Sequence, residues 1–257
     1  MSTRTEPRSV RRPVDPGPRA SASVASKREA GRRRLRILLV VVVLVVLVAA
    51  AALVTVSPLL DVDHLQVHGL HRLTAAEVEA AGGIHRGDAM VWMDTGRVAG
   101  RIEALPYVRD ARVTREWPDT VKVTVHERTP VAWIDGPREK TLVDGSGRVL
   151  ETVATAPAGM PQLLDTKMLP RPGGTIRPAD GARVASGLTG LVAAGTASVA
   201  VTDHGVVLHL VAGPEIRMGE PGGVAVKLRA ALAVLNASQN VPVSYIDVSV
   251  PTNPVAG

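Results

Sequence analysis

The chain has 257 residues, with 30 Lys and Arg against 24 Asp and Glu, 46% hydrophobic and 2% aromatic residues, and no cysteine. The missing cysteine excludes thiol catalysis, disulfides, Cys-zinc sites and iron–sulfur clusters, so any folded part must hold together by its apolar core. Residues 1–36 carry eleven Lys and Arg against Glu6, Asp15 and Glu29, a net of +8 in a chain of net +6, so the rest sums to −2. The basic charge belongs to this segment and is no sign of a nucleic-acid-binding domain, and no nucleic-acid partner is expected.

That first segment is rich in Pro, Ser and Arg without apolar periodicity, and is predicted to be a disordered cytoplasmic tail, residues 1–36. Between Arg36 and Asp61 no charge occurs. The 24 residues 37–60 suffice for a hydrocarbon layer of about 30 Å with some tilt, and they lack the polar stripe of a soluble helix. A cleaved signal would place about 7–15 apolar residues behind a short basic start, and Ala49–Ala52 is the one stretch that imitates a cleavage site. Length and the long preceding tail favour a retained transmembrane helix. The basic flank predicts a single-pass type II topology, with the N-terminus cytoplasmic and residues 61–257 extracytoplasmic.

Beyond the anchor, Asp63–His68 alternates as a short strand, with Leu65 and Val67 on one side. Thr74 and Glu77 form a capping box, Leu73 staples to Val78, and Gly82-Gly83 ends that helix. Asp94 caps a second helix with Val98, Ile102 and Leu105 on one face, stopped by Pro106. Strands follow at Ala111–Glu116 and Thr120–Glu127, turning at Trp117–Thr120, with Val121, Val123 and Val125 inward. The order is β-α-α-β-β.

The stretch "LPYVRDARVTREWPDTVKVTVHERTPVAWI" (Leu105–Ile134), followed by "LVDGSGRVL" (Leu142–Leu150), resembles the FtsQ/DivIB family of bacterial cell-division proteins, which contain a POTRA domain. The matching pieces are Pro106-Tyr107-Val108, Trp117-Pro118, Glu127-Arg128-Thr129-Pro130-Val131-Ala132 and Val143-Asp144-Gly145-Ser146-Gly147, with Tyr107 where Trp is common in the family. "YIDVSVPTNPV" (Tyr245–Val255) is similar to the family's closing strand. The resemblance implies an α+β chain: disordered basic tail, one transmembrane helix at 37–60, POTRA domain at 61–131, and at 132–257 a mixed, mainly antiparallel β domain with helices on one face.

The second half is written less sharply. Leu142–Leu150 reads as a hairpin around Asp144-Gly145, and Met160–Pro178 as a Pro/Gly-rich connection. Val184, Leu188, Leu191 and Val192 fall at helical spacing, weakened by Gly181, Gly187 and Gly190. A hairpin joins Ser198–Val201 to Val206–Val211, Glu215–Met218 is extended, and Val224, Leu228, Ala231, Leu232 and Leu235 mark an amphipathic helix. Val243–Val250 then alternates up to Pro251.

No constellation for bond-making chemistry stands out, so no catalytic residue, cofactor or metal is expected. His64 and His68 share a strand face near His71, but no fitting third ligand can be named. Ser146 lies in a hairpin turn rather than a nucleophile elbow. Glu127 is in phase with the inward valines, and an ion pair with Arg128 or Arg115 is expected of it. Trp92, Trp117 and Trp133 read as core or interface anchors.

Two function classes follow. The resemblance implies a non-catalytic scaffold at the division septum, binding bitopic coiled-coil partners of the FtsB/FtsL or DivIC/FtsL type and linking to the septal wall-synthesis machinery. The alternative is a membrane-anchored extracytoplasmic hydrolase or sensor. Partner binding is expected by strand addition along Tyr245, Ile246, Asp247, Val248, Ser249 and Val250, with Tyr245 as aromatic anchor, if this strand is a sheet edge; if it is interior it merely packs.

Overall fold

Alternation of Val121, Val123 and Val125 with Lys122, Thr124 and His126 is the pattern of a strand with one wet face. In the computed structural model of the chain it is the middle strand of a small sheet. The structure describes residues 36–50, 60–164, 166, 169–188, 190–238 and 242–257. The tail expected to be disordered lies outside these residues up to position 35, as do residues 51–59 of the expected transmembrane helix. Residues 36–50 are helical, with exposed Ile, Leu and Val side chains. Among the described residues no helix is long and apolar enough to cross a membrane. The chain divides into two units, Met1–Ser57 and Pro58–Gly257.

The second unit begins with β1 (His64–His68), α1 (Ala75–Gly82), a short 3-10 turn at Met90–Trp92, α2 (Thr95–Glu103), β2 (Val108–Glu116) and β3 (Thr120–Glu127). The sheet order is β1-β3-β2, with β1 parallel and β2 antiparallel to β3. Both helix starts follow their sequence signals. The Thr74 hydroxyl accepts the Glu77 N–H at 3.3 Å while the Glu77 carboxylate accepts the Thr74 N–H at 2.8 Å. Asp94 accepts the Arg97 N–H at 3.0 Å. Val121, Val123 and Val125 are at most 1% exposed and pack with Val78, Met90, Val98 and Ile102, so the helices cover one face. β2 starts earlier than its alternation suggests, because a bulge between Val108 and Asp110 buries Val108 and breaks the period.

A nine-stranded sheet follows. Its strands are β4 (Pro130–Asp135), β5 (Lys140–Asp144), β6 (Val149–Val153), β7 (Gln162–Leu163), β8 (Thr196–Thr202), β9 (Gly205–Leu210), β10 (Glu215–Gly219), β11 (Tyr245–Asp247) and β12 (Val255–Ala256). They are ordered β12-β11-β10-β9-β8-β7-β4-β5-β6, parallel only at β4–β7, β7–β8 and β10–β11. The helices are α3 (Asp180–Ser186), α4 (Gly190–Gly195) and α5 (Val224–Ala237). Val184 and Ala185 of α3 and Leu228 and Ala231 of α5 share one core with Ala132, Val143, Leu208, Ile216 and Ile246.

Three expectations for this half need correction. The connection Met160–Pro178 contains β7, which joins the two halves of the sheet; two residues are too few to show alternation. The helical pattern from Val184 to Val192 is two helices, broken after Ser186. At the break, a Cβ on Gly187 would lie 2.8 Å from Val224 Cγ1, so the missing side chain lets α3 end against the start of α5. The strand expected over Val243–Val250 is only β11, three residues long, and it is interior. Beyond Asp247, the Val248 N–H donates to Arg217 O at 2.9 Å. The Asp247 carboxylate then takes the Ser249 N–H at 2.9 Å and hydroxyl at 2.6 Å, turning the chain outward. The Asn253 N–H closes the turn on Val250 O at 3.0 Å, and β12 returns along β11.

Candidate partner-binding edge

The residues singled out for partner binding lie together, one strand inside the sheet edge. Tyr245 and Gly257 exchange N–H···O bonds of 3.0 and 3.2 Å, and the pairing continues through Ile246–Ala256 and Asp247–Val255. The amides of Tyr245–Ser249 are therefore committed within the chain. Hydrogen-bonding direction alternates along an antiparallel strand, so Ala256, between two inward-bonded residues, turns its N–H and C=O away from β11. Among the described residues β12 is the outermost strand; Val255, Ala256 and Gly257 are exposed, and Pro254 before them has no N–H to offer.

Ile246 enters the core, so Tyr245 and Asp247 stand on the opposite face with Glu215 and Arg217 of β10. The Arg217 guanidinium stacks over the Tyr245 ring at 4.1 Å and bonds Glu215 at 2.9 Å. A Cβ on Gly257 would come within 2.9 Å of the Tyr245 ring, so the ring packs flush on the returning chain. The expected aromatic anchor is thus already sandwiched. The Ser249 hydroxyl and N–H hold the Asp247 carboxyl below its ordinary range. Thr202, His204 and Val207 complete the wall of this polar groove.

Sequence reading missed one residue behind the edge. Lys227 of α5 is buried, and its ammonium donates to Met218 O at 2.8 Å and Glu220 O at 2.7 Å, fixing the end of β10. Its spacing from Val224 and Ala231 put it on the inward face, but a lysine there carries no apolar signal.

The Glu127-Arg128 motif holds parts together rather than doing chemistry. Contrary to the expected ion pair, Glu127 pairs with neither Arg128 nor Arg115; its carboxylate accepts the N–H groups of His71, Arg72 and Leu73 at 3.0, 2.8 and 3.0 Å. Backbone donors were nearer than either guanidinium, because the β1–α1 loop passes over the end of β3. Burial raises the Glu127 pKa, but these three bonds outweigh it and hold the carboxyl below its ordinary value. Arg128 reaches the second sheet, meeting Asp144 at 2.6 Å and the Ser146 hydroxyl at 3.3 Å, while its Nε donates to Val108 O at 3.0 Å. Asp144 also accepts the Ser146 hydroxyl and the N–H groups of Ser146 and Arg148. Burial raises the Asp144 carboxyl, and the hydroxyl, Arg128 and the two amides together hold it below the ordinary carboxylate range. Arg72 pairs with Glu151 and lies over the Tyr107 ring at 5.0 Å, adding a second tie.

His64 and His68 are exposed on one face of β1, and no metal-holding group of three His, Asp or Glu occurs among the described residues. Trp133 is half-buried and its indole donates to Met160 O at 3.0 Å. Trp92 and Trp117 are 75% and 54% exposed, so neither is a core residue.

Residues 60–128 match the family described as POTRA domain, FtsQ-type. Over 205 residues the chain is 33% identical to the cell division protein FtsQ of Streptomyces venezuelae, covering 76% of this chain and 73% of that one. It is 31% identical to the FtsQ of Streptomyces griseus, covering 77% of this chain and 97% of that one. The extracytoplasmic domain of the cell division protein DivIB from Geobacillus stearothermophilus aligns at 21% identity and a TM-score of 0.33, covering 45% of this chain and 98% of that one. With a relative above 30% identity aligned over most of both chains, the chain belongs to the FtsQ/DivIB family of bacterial cell division proteins.

Proposed function

We propose that the protein is a single-pass membrane scaffold of the division septum that works by binding other division proteins, without catalysis. Residues 37–60 span the membrane, the basic tail stays in the cytoplasm, and the POTRA domain (61–131) and β domain (132–257) lie outside. The partners are bitopic coiled-coil proteins of the FtsB/FtsL or DivIC/FtsL type, together with the septal wall-synthesis machinery. Family membership supports the division role. The charge step at Arg36 and the uncharged run after it support the topology.

The observation that carries the binding mode is β12. It is two exposed residues long, it shields Tyr245–Asp247, and it turns the Ala256 N–H and C=O outward. A partner strand adds along β12, with Tyr245–Val250 as the rigid inner layer that fixes its position. Ala256→Pro tests this, because it removes the outward donor and leaves the inward bonds of Val255 and Gly257 in place. Tagged full-length protein purified from membranes should lose the partner with Ala256→Pro and keep it with Ser249→Ala. A folded Ala256→Pro protein that co-purifies its partner at the wild-type level rules out strand addition at this edge. Depletion in the cell should give filaments or unseparated cells, and normal division on depletion would sink the scaffold reading itself.

A further inference from the structure

Both exposed tryptophans lie at the end of the POTRA domain where the chain arrives from the apolar run. Asp61, the first charge after that run, bridges to Ala89. The Val62 N–H donates to Asp88 O at 2.9 Å and the Gly87 N–H to Val62 O at 3.0 Å. The Ala89 carbonyl in turn accepts the Trp92 N–H at 3.2 Å, so one tight turn separates the indole from the partner of Asp61. On the other side, the N–H groups of Asp63 and His64 donate to Asp119 O at 2.9 and 3.2 Å, two residues from Trp117. The Arg115 guanidinium donates to the Met93 carbonyl and ties the two tryptophan-bearing loops together.

The turn is built to hold its ring outside. Met90 is 0% exposed and pins the loop into the core, whereas Trp92 is 75% exposed and Trp117 54%. Tryptophan has a large apolar body and one N–H donor, which suits the boundary between hydrocarbon and water better than either phase. A ladder spacing plus one 3-10 turn keeps Trp92 within about 10 Å of Asp61. The headgroup layer on each side of a bilayer is about 5–8 Å deep, so the Trp92 ring is within reach of it. Trp117 stands on the same edge, two residues from the carbonyl that takes the Asp63 N–H.

We propose that Trp92 and Trp117 insert into the outer headgroup layer of the membrane and seat the POTRA domain on the lipid surface. This rests on residues 37–60 spanning the bilayer. Asp61, Asp63, Asp88 and Asp119 lie at the same end and offset Arg97 and Arg101, which line the groove beside Trp92, so the contact is made by the rings rather than by attraction to anionic lipid.

The test uses the full-length protein in vesicles of phosphatidylcholine and phosphatidylglycerol, with the phosphatidylcholine brominated near its headgroup. Bromine quenches indoles only at close range. Wild-type emission should fall by about half, because two of the three tryptophans touch lipid, and high salt should not restore it. The double variant Trp92→Phe/Trp117→Phe retains only Trp133, whose unchanged emission also reports that the β domain is folded. It should be almost unquenched. A chain that alkaline carbonate strips from the vesicles overturns the span, and the contact with it. A chain that stays inserted, unquenched by bromine but open to acrylamide, overturns the contact alone. Rings shielded from both quenchers face protein instead of lipid, and that also overturns it.

Discussion

Glu127 and Asp144 carry more of this fold than their place in a turn motif implies. Each carboxylate gathers several donors, and each is held below its ordinary pKa despite burial. The sign follows: a depressed folded pKa contributes stability above the unfolded value, about 4 for both residue types, and that stability is lost as pH falls through the folded value. The melting temperature should drop below about pH 4, and the drop should be shallower in Glu127→Gln. At neutral pH Glu127→Ala should cost about 1–3 kcal/mol in denaturant unfolding, since it frees three backbone donors of the β1–α1 loop. Val123→Ala should cost about 1–2.5 kcal/mol through lost burial and a small cavity. Lys122→Ala, on the wet face with a half-exposed pairing to Glu116, should cost under about 0.5 kcal/mol.

At the level of elements, the edge of the large sheet is held from behind and from outside. From behind, Lys227 of α5 satisfies two carbonyls at the end of β10. Lys227→Ala leaves those carbonyls without their donor and should cost about 1–3 kcal/mol, with faster hydrogen exchange confined to β10 and β11. From outside, β12 covers the strand that alternation marked as terminal. Short edge strands preceded by proline resist indiscriminate pairing, which leaves Ala256 as a narrow and selective docking point.

For the whole molecule, the Arg128–Asp144 pair makes one unit of the two sheets. Its side chains are 17% and 9% exposed, so solvent screens it little. Arg128→Ala leaves Asp144 buried without its cation and should cost about 2–4 kcal/mol. The same change should split the calorimetric melt of residues 58–257 from one transition into two, as the POTRA sheet and the nine-stranded sheet come apart. A single unchanged transition would mean that Arg72–Glu151 and the chain connection suffice.

Sequence by itself determined whatever depends on neighbours within a turn or a strand. The capping box at Thr74, the Asp94 cap, the valine face of β3 and the hairpin at Asp203–Gly205 are local, because their partners sit two to four residues away. The ordered motifs from Leu105 to Leu150 were enough to point to the family. Tertiary structure alone decided the rest, because the partners are distant. Glu127 meets amides more than fifty residues before it. Two residues of β7 join sheet halves that share no alternation, and Lys227 reaches carbonyls on another element. Whether Tyr245–Asp247 is an edge depends on a strand that returns only after Pro254, and no periodicity within Val243–Val250 encodes that return.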